Sequence, residues 1–161
     1  MSAIHDRLLT DLQGLIQSLD LSGSSGVIGD IGSNVYVQLA EEELNVLFPC
    51  VLVSSVGETE EEGESDLEDD VVIYPVRISI LDQVAPNYQQ RRPTYQDWRH
   101  QIARKLRGLV NYPLLDNVPE LHDVRLRNLP TVDPRLPEHA FFQAGLVALC
   151  YTNETRTRSG A

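Results

Sequence analysis

Val71-Val72-Ile73-Tyr74-Pro75-Val76-Arg77-Ile78-Ser79-Ile80-Leu81 is the stretch that decides the fold. Val72, Tyr74, Val76, Ile78 and Ile80 share one parity, while Pro75, Arg77 and Ser79 fall on the other. That period of two predicts a strand with one face buried and the other partly wet. Pro75 has no N–H to give a ladder, which predicts a sheet edge or a bulge at this point. Upstream, residues 48–56 (Phe-Pro-Cys-Val-Leu-Val-Ser-Ser-Val) read as a second apolar strand. Between the two, residues 57–70 hold nine acids and no base: Glu58, Glu60, Glu61, Glu62, Glu64, Asp66, Glu68, Asp69 and Asp70. So charged a segment cannot form a core. The two strands are therefore expected as an antiparallel hairpin carrying an acidic insert.

Outward from this hairpin, Ile4, Leu8, Leu12, Leu15 and Leu19 recur at three-and-four spacing with Leu9 and Ile16 beside them, predicting an amphipathic helix over 3–19. Ser2 is placed to cap it, Asp6 suits its positive end, and the turn residues 22–26 end it. Residues 34–39 read as a short strand. Further on, Tyr95, Trp98, Ile102, Leu106 and Leu109 mark the inward stripe of a helix over 94–109, with Thr94 and Asp97 at capping-box spacing. Two closing strands follow at 122–127 and 140–151. The second is apolar on both faces and is expected inside the sheet. The fold class read from these elements is α+β: a mostly antiparallel sheet of four to five strands with two main helices packed on it, one domain over 1–152, and a polar tail over 153–161.

Of the chain's net charge of −11, residues 1–70 hold sixteen acids against one base, Arg7, a net of −15. The remaining 91 residues carry twelve bases and eight acids, a net of +4. Six of the thirteen bases fall within 91–107: Arg91, Arg92, Arg99, Arg104, Lys105 and Arg107. Net acidity repels the phosphate backbone and argues against tight nucleic-acid binding. Polarity along the chain fits head-to-tail pairing between copies, the basic helix being a candidate subunit interface. A solvated loop accounts for the acidic insert by itself; alternatively, a ring of copies would pool its acids around a channel or against a tube, and that field would keep DNA from sticking.

Catalytic and metal motifs are not evident. His5, His100, His122 and His139 lack paired spacing, and the insert lacks the spaced order of a calcium loop. The glycines of residues 23–32 match neither a nucleophile elbow nor a phosphate loop. Cys50 and Cys150 lie in apolar strand-like runs and are expected as buried free thiols. No cofactor, metal, membrane span or leader is expected, and the chain is read as a cytosolic protein that is not an enzyme. Two rivals remain open: a small ligand-binding or enzymatic domain whose site carries no motif, and an adaptor that takes basic peptides on the acidic loop.

The opening helix around residues 8–12, the strands 48–53 and 74–81, the helix Trp98-Arg99-His100-Gln101-Ile102-Ala103-Arg104-Lys105-Leu106 and the closing strand Gly145-Leu146-Val147-Ala148-Leu149 follow one another in an order that resembles the tail-terminator proteins of long-tailed bacteriophages, the lambda-terminator-like group. The resemblance implies a subunit that forms a hexameric ring on the tail tube and meets the tail-tube protein and neck or connector proteins. DNA would only pass through the lumen. Assembly would take place in the host cytoplasm, and the mature protein would reside in the virion. A head–tail connector or other tail-completion protein is the neighbouring alternative.

Overall fold

The computed structural model describes residues 3–22, 30–38, 46–55, 59–60, 69–83, 88–129 and 141–155. In chain order the elements are α1 (Ala3–Gln17), β1 (Val35–Gln38), β2 (Cys50–Ser55), β3 (Thr59–Glu60), β4 (Asp69–Gln83), α2 (Tyr88–Arg107), β5 (Leu121–Asn128) and β6 (Phe141–Thr155). The sheet runs β1-β2-β4-β6-β5, with the short β3 paired to β4 off that path. β1 lies parallel to β2 and every other pairing is antiparallel. This is the expected α+β architecture.

The hairpin read from the sequence is present, with Val51 opposite Ile80 and Val53 opposite Ile78. Tyr74, Val76, Ile78 and Ile80 are buried, and Val72 packs at their margin. The same side of the sheet receives Val51 and Val53 from β2, and Ala144, Leu146, Ala148 and Cys150 from β6. Both helices cover this one side. α1 contributes Leu8, Leu9, Leu12 and Ile16, with Ile4, Leu15 and Leu19 at the rim, while α2 contributes Tyr95, Trp98, Ile102, Ala103 and Leu106. Fully burying side chains of this size is worth about 1.5–3 kcal/mol each, so one shared core holds the helices to the sheet. Trp98 also donates its indole N–H to the Ser22 carbonyl at 2.9 Å, tying α2 to the chain just beyond α1. The Tyr95 hydroxyl donates to the buried Asp82 carboxylate, fixing the same helix to the end of β4.

Four expectations need correction. Of the edge or bulge expected at Pro75, the edge is excluded, because β4 is the central strand; Pro75 sits instead at an irregularity of the ladder. It is tolerated because the ladder on one side is interrupted there: partners from β2 stop at Val76 and those from β3 resume at Ile73. The acidic insert is not loop from end to end, since Glu60 pairs with Val72, and Asp69 and Asp70 pair with Thr155 and Glu154. Backbone pairing is indifferent to side-chain charge when the side chain can remain hydrated. β6 correspondingly runs through Thr155, so 153–155 belong to the sheet and not to a tail. α2 starts at Tyr88, six residues before the expected cap, with Pro93 inside it. The ring of Pro93 removes only one hydrogen bond this close to the start of the helix, and Tyr95 and Trp98 anchor the turns that follow.

Candidate interaction site

Of the bases read as an interface, Arg104, Lys105 and Arg107 occupy the exposed last turn of α2, where cations oppose the negative end of the helix dipole. Arg99 is half-buried and donates through Nη1 to the Leu129 carbonyl at 3.4 Å. Arg91 and Arg92 lie on the first turns of α2, and their side chains fall outside the described residues. Arg99 and Arg107 come together in a cleft of about 260 Å³ between α2 and the end of β5, lined also by Gln96, His100, Ala103 and Asn128. Arg104 and Lys105 do not line it.

The described end of the acidic insert, Asp69 and Asp70, forms the start of β4 and pairs with the end of β6. Among its nine acids, Glu60, Asp69 and Asp70 sit on strand backbone. Glu58, Glu61, Glu62, Glu64, Asp66 and Glu68 lie outside the described residues. Next to the insert's root, the Tyr74 hydroxyl donates to Glu154 Oε2 at 2.8 Å and the Thr152 hydroxyl to the same oxygen at 3.0 Å. His5 stacks on Tyr74 with ring centroids 5.7 Å apart. Arg7 meets Glu120 at 3.3 Å, and Asp11 accepts from the Asn117 backbone and side-chain amides, so α1 is clamped to the segment before β5.

A third charged region escaped the sequence reading. The side of the sheet opposite the helices carries half-buried Leu52, Pro75, Val147 and Leu149 beside exposed Arg77, Arg125 and Arg127. Register aligns Arg77, Val147 and Arg127 in one row across β4, β6 and β5. The Arg125 guanidinium lies 4.4 Å from the centroid of the Tyr151 ring and its Nε is 3.0 Å from Asp123 Oδ2. The available signal was Arg125-Leu126-Arg127, two bases at strand spacing, outweighed by the denser run of bases in α2.

Cys50 and Cys150 are free and buried, as expected. Burial, with the Asp82 carboxylate adding to it, pushes the Cys50 thiol up to about 11, and burial alone pushes Cys150 up to about 12. Such thiols stay protonated at neutral pH and are poor nucleophiles. Among the described residues, no three His, Cys, Asp or Glu side chains gather as a metal site, and no helix is long and apolar enough to cross a membrane.

No protein-family model and no curated protein matches the sequence. In three dimensions the chain is similar to a protein in a solved structure described as the virion of a native gene transfer agent particle, with a TM-score of 0.56 and 14% sequence identity over 96% of this chain and 100% of that one. At that identity, what the two share is the fold.

Proposed function

We propose that this protein is a structural subunit of a virion, and within that class a tail terminator: a ring, hexameric by the tail-terminator resemblance, that closes the tail tube and offers its other surface to neck proteins. The observation that carries the reading is the end-to-end fold likeness to a virion component. The surfaces agree with it. Exposed bases lie on α2 and on the sheet side opposite the helices, while the acidic run of the sequence leads into the start of β4, and this separation suits head-to-tail contacts between copies. On this reading the protein catalyses no reaction, assembles in the host cytoplasm and ends in the particle. DNA passes a lumen whose acids do not bind it.

The direct test is electron microscopy of the protein at high concentration, alone and with the matching tail-tube protein. Rings, and tubes of fixed length capped by them, are expected; a strict monomer that leaves tube growth unaltered overturns the proposal. Reversing Arg104, Lys105 and Arg107 to Glu should leave the fold intact, because all three are exposed, and should reduce capping. Normal tail length with this variant would remove the last turn of α2 from the interface.

A further inference from the structure

The cleft beside α2 is shaped by a regular row on that helix. Arg99, Ala103 and Arg107 follow one another at intervals of four, so they stack along one face, with Gln96 and His100 beside them. Ala103 is buried and short, and it forms a floor with an arginine one turn to either side. Asn128, at the end of β5, closes the opposite wall. Arg99 is held by its bond to the Leu129 carbonyl at 3.4 Å, which uses one of the donors of its guanidinium. The side chains of Arg107 and His100 have no hydrogen-bond or ion-pair partner among the described residues, and among those residues no Asp or Glu lines the cleft. By contrast, Arg7 meets Glu120 and Arg125 meets Asp123.

Two positive charges thus share a cleft with amide and imidazole donors and with nothing of opposite sign, so the ligand that fits is an oxyanion. Their arrangement selects carboxylates on a chain over a phosphate. Phosphate sites gather backbone N–H groups at a helix N-terminus. This cleft instead runs along the side of α2 and reaches its last turn, where the helix dipole is negative. Arg99 and Arg107 lie roughly 12 Å apart along the axis, at about 1.5 Å per residue. An extended polypeptide sets side chains i and i+4 on one side at roughly 13 Å, so each guanidinium can take one carboxylate in a forked pair. At roughly 30 Å³ per water, a cleft of about 260 Å³ holds side chains and not merely a lone ion. We infer that the cleft between α2 and the end of β5 seats an acidic segment of a partner protein, with carboxylates four residues apart on Arg99 and Arg107. This goes beyond the ring reading, which assigns the cleft no ligand.

The probe is a hexapeptide of glutamates carrying a neutral fluorophore, whose anisotropy is followed as full-length protein is added at low ionic strength. Saturable binding is expected, and the pair Arg99→Gln with Arg107→Gln should weaken it by about tenfold or more. Arg104→Gln with Lys105→Gln removes the same charge from the same helix outside the cleft, and should weaken binding by less than about threefold. Arg107→Gln alone, at an exposed position, should weaken it by about three- to tenfold and guards against a fold disturbed by losing the Arg99 bond to Leu129. Circular dichroism checks the fold of each variant. Equal losses from the two pairs would reduce the attraction to general charge and overturn the seat, as would the absence of saturable binding. Inorganic phosphate that displaces the peptide better than sodium chloride of the same ionic strength would make the cleft a phosphate site and overturn its assignment to a protein segment.

Discussion

Gly145 shows how a single residue constrains this sheet. A Cβ at that position would lie 2.6 Å from the Ile78 carbonyl oxygen, a backbone atom that cannot swing aside. Gly145→Ala should therefore cost about 1–3 kcal/mol, the usual range for overpacking a closed interior, read as a lower urea midpoint with an unchanged slope. The buried thiols make a second residue-scale prediction. Iodoacetamide should label neither Cys50 nor Cys150 in the native protein near neutral pH and both after denaturation, as read by mass spectrometry. Because burial holds the Cys150 proton up to about 12 while the unfolded thiol releases it near 9, the folded state binds the extra proton between those values. Stability is thus unaffected by this group below pH 9 and falls as pH rises from there toward 12. Cys150→Ala should flatten that alkaline decline in urea midpoints compared on either side of pH 9.

At the scale of elements, the antiparallel β4–β6 ladder extends into charged sequence because it needs only backbone groups. Asp69, Asp70 and Glu154 keep pairing beyond the last apolar residues. Replacing residues 61–68 with a short glycine-serine linker should therefore leave a folded monomer with a thermal midpoint close to that of the wild type, while removing self-association. A loss of cooperative unfolding would show that the insert supports the core. The strands and the inward stripes of both helices were legible because period-two and three-and-four spacing report burial directly. The start of α2 was not, since Pro93 and the bases around it carry no apolar period and the turn before them is held by packing further along the helix. The central place of β4 was hidden for a related reason: Pro75 signals an edge or a bulge locally, and only the hand-over from β2 to β3 decides for an irregularity inside the sheet.

For the whole molecule, one side of the sheet is sealed by two helices, while the other bears exposed Arg77, Arg125 and Arg127 beside buried Cys50, Ser79, Leu81 and Tyr151. An assembly held by opposite charges on partly exposed surfaces is screened by salt, since the Debye length shrinks from about 10 Å at 0.1 M to about 3 Å at 1 M. Self-association should accordingly weaken steeply with added sodium chloride in sedimentation experiments, whereas the urea midpoint of the monomer, set by the apolar core, should move little. Equal salt sensitivity of both quantities would argue that ion pairs hold the fold itself.

By itself the sequence determined the fold class, the hairpin, the buried faces of the helices, the free thiols and the polarised charge, because each is encoded in local spacing or in composition. Tertiary structure alone decided that β4 is central, that β1 runs parallel to β2, that the acidic insert is rooted in strands, and that Arg77, Arg125 and Arg127 share the side of the sheet opposite the helices. Those relations join residues far apart in the chain. Strand order and side-chain alignment follow from how the core closes, and no local pattern carries them.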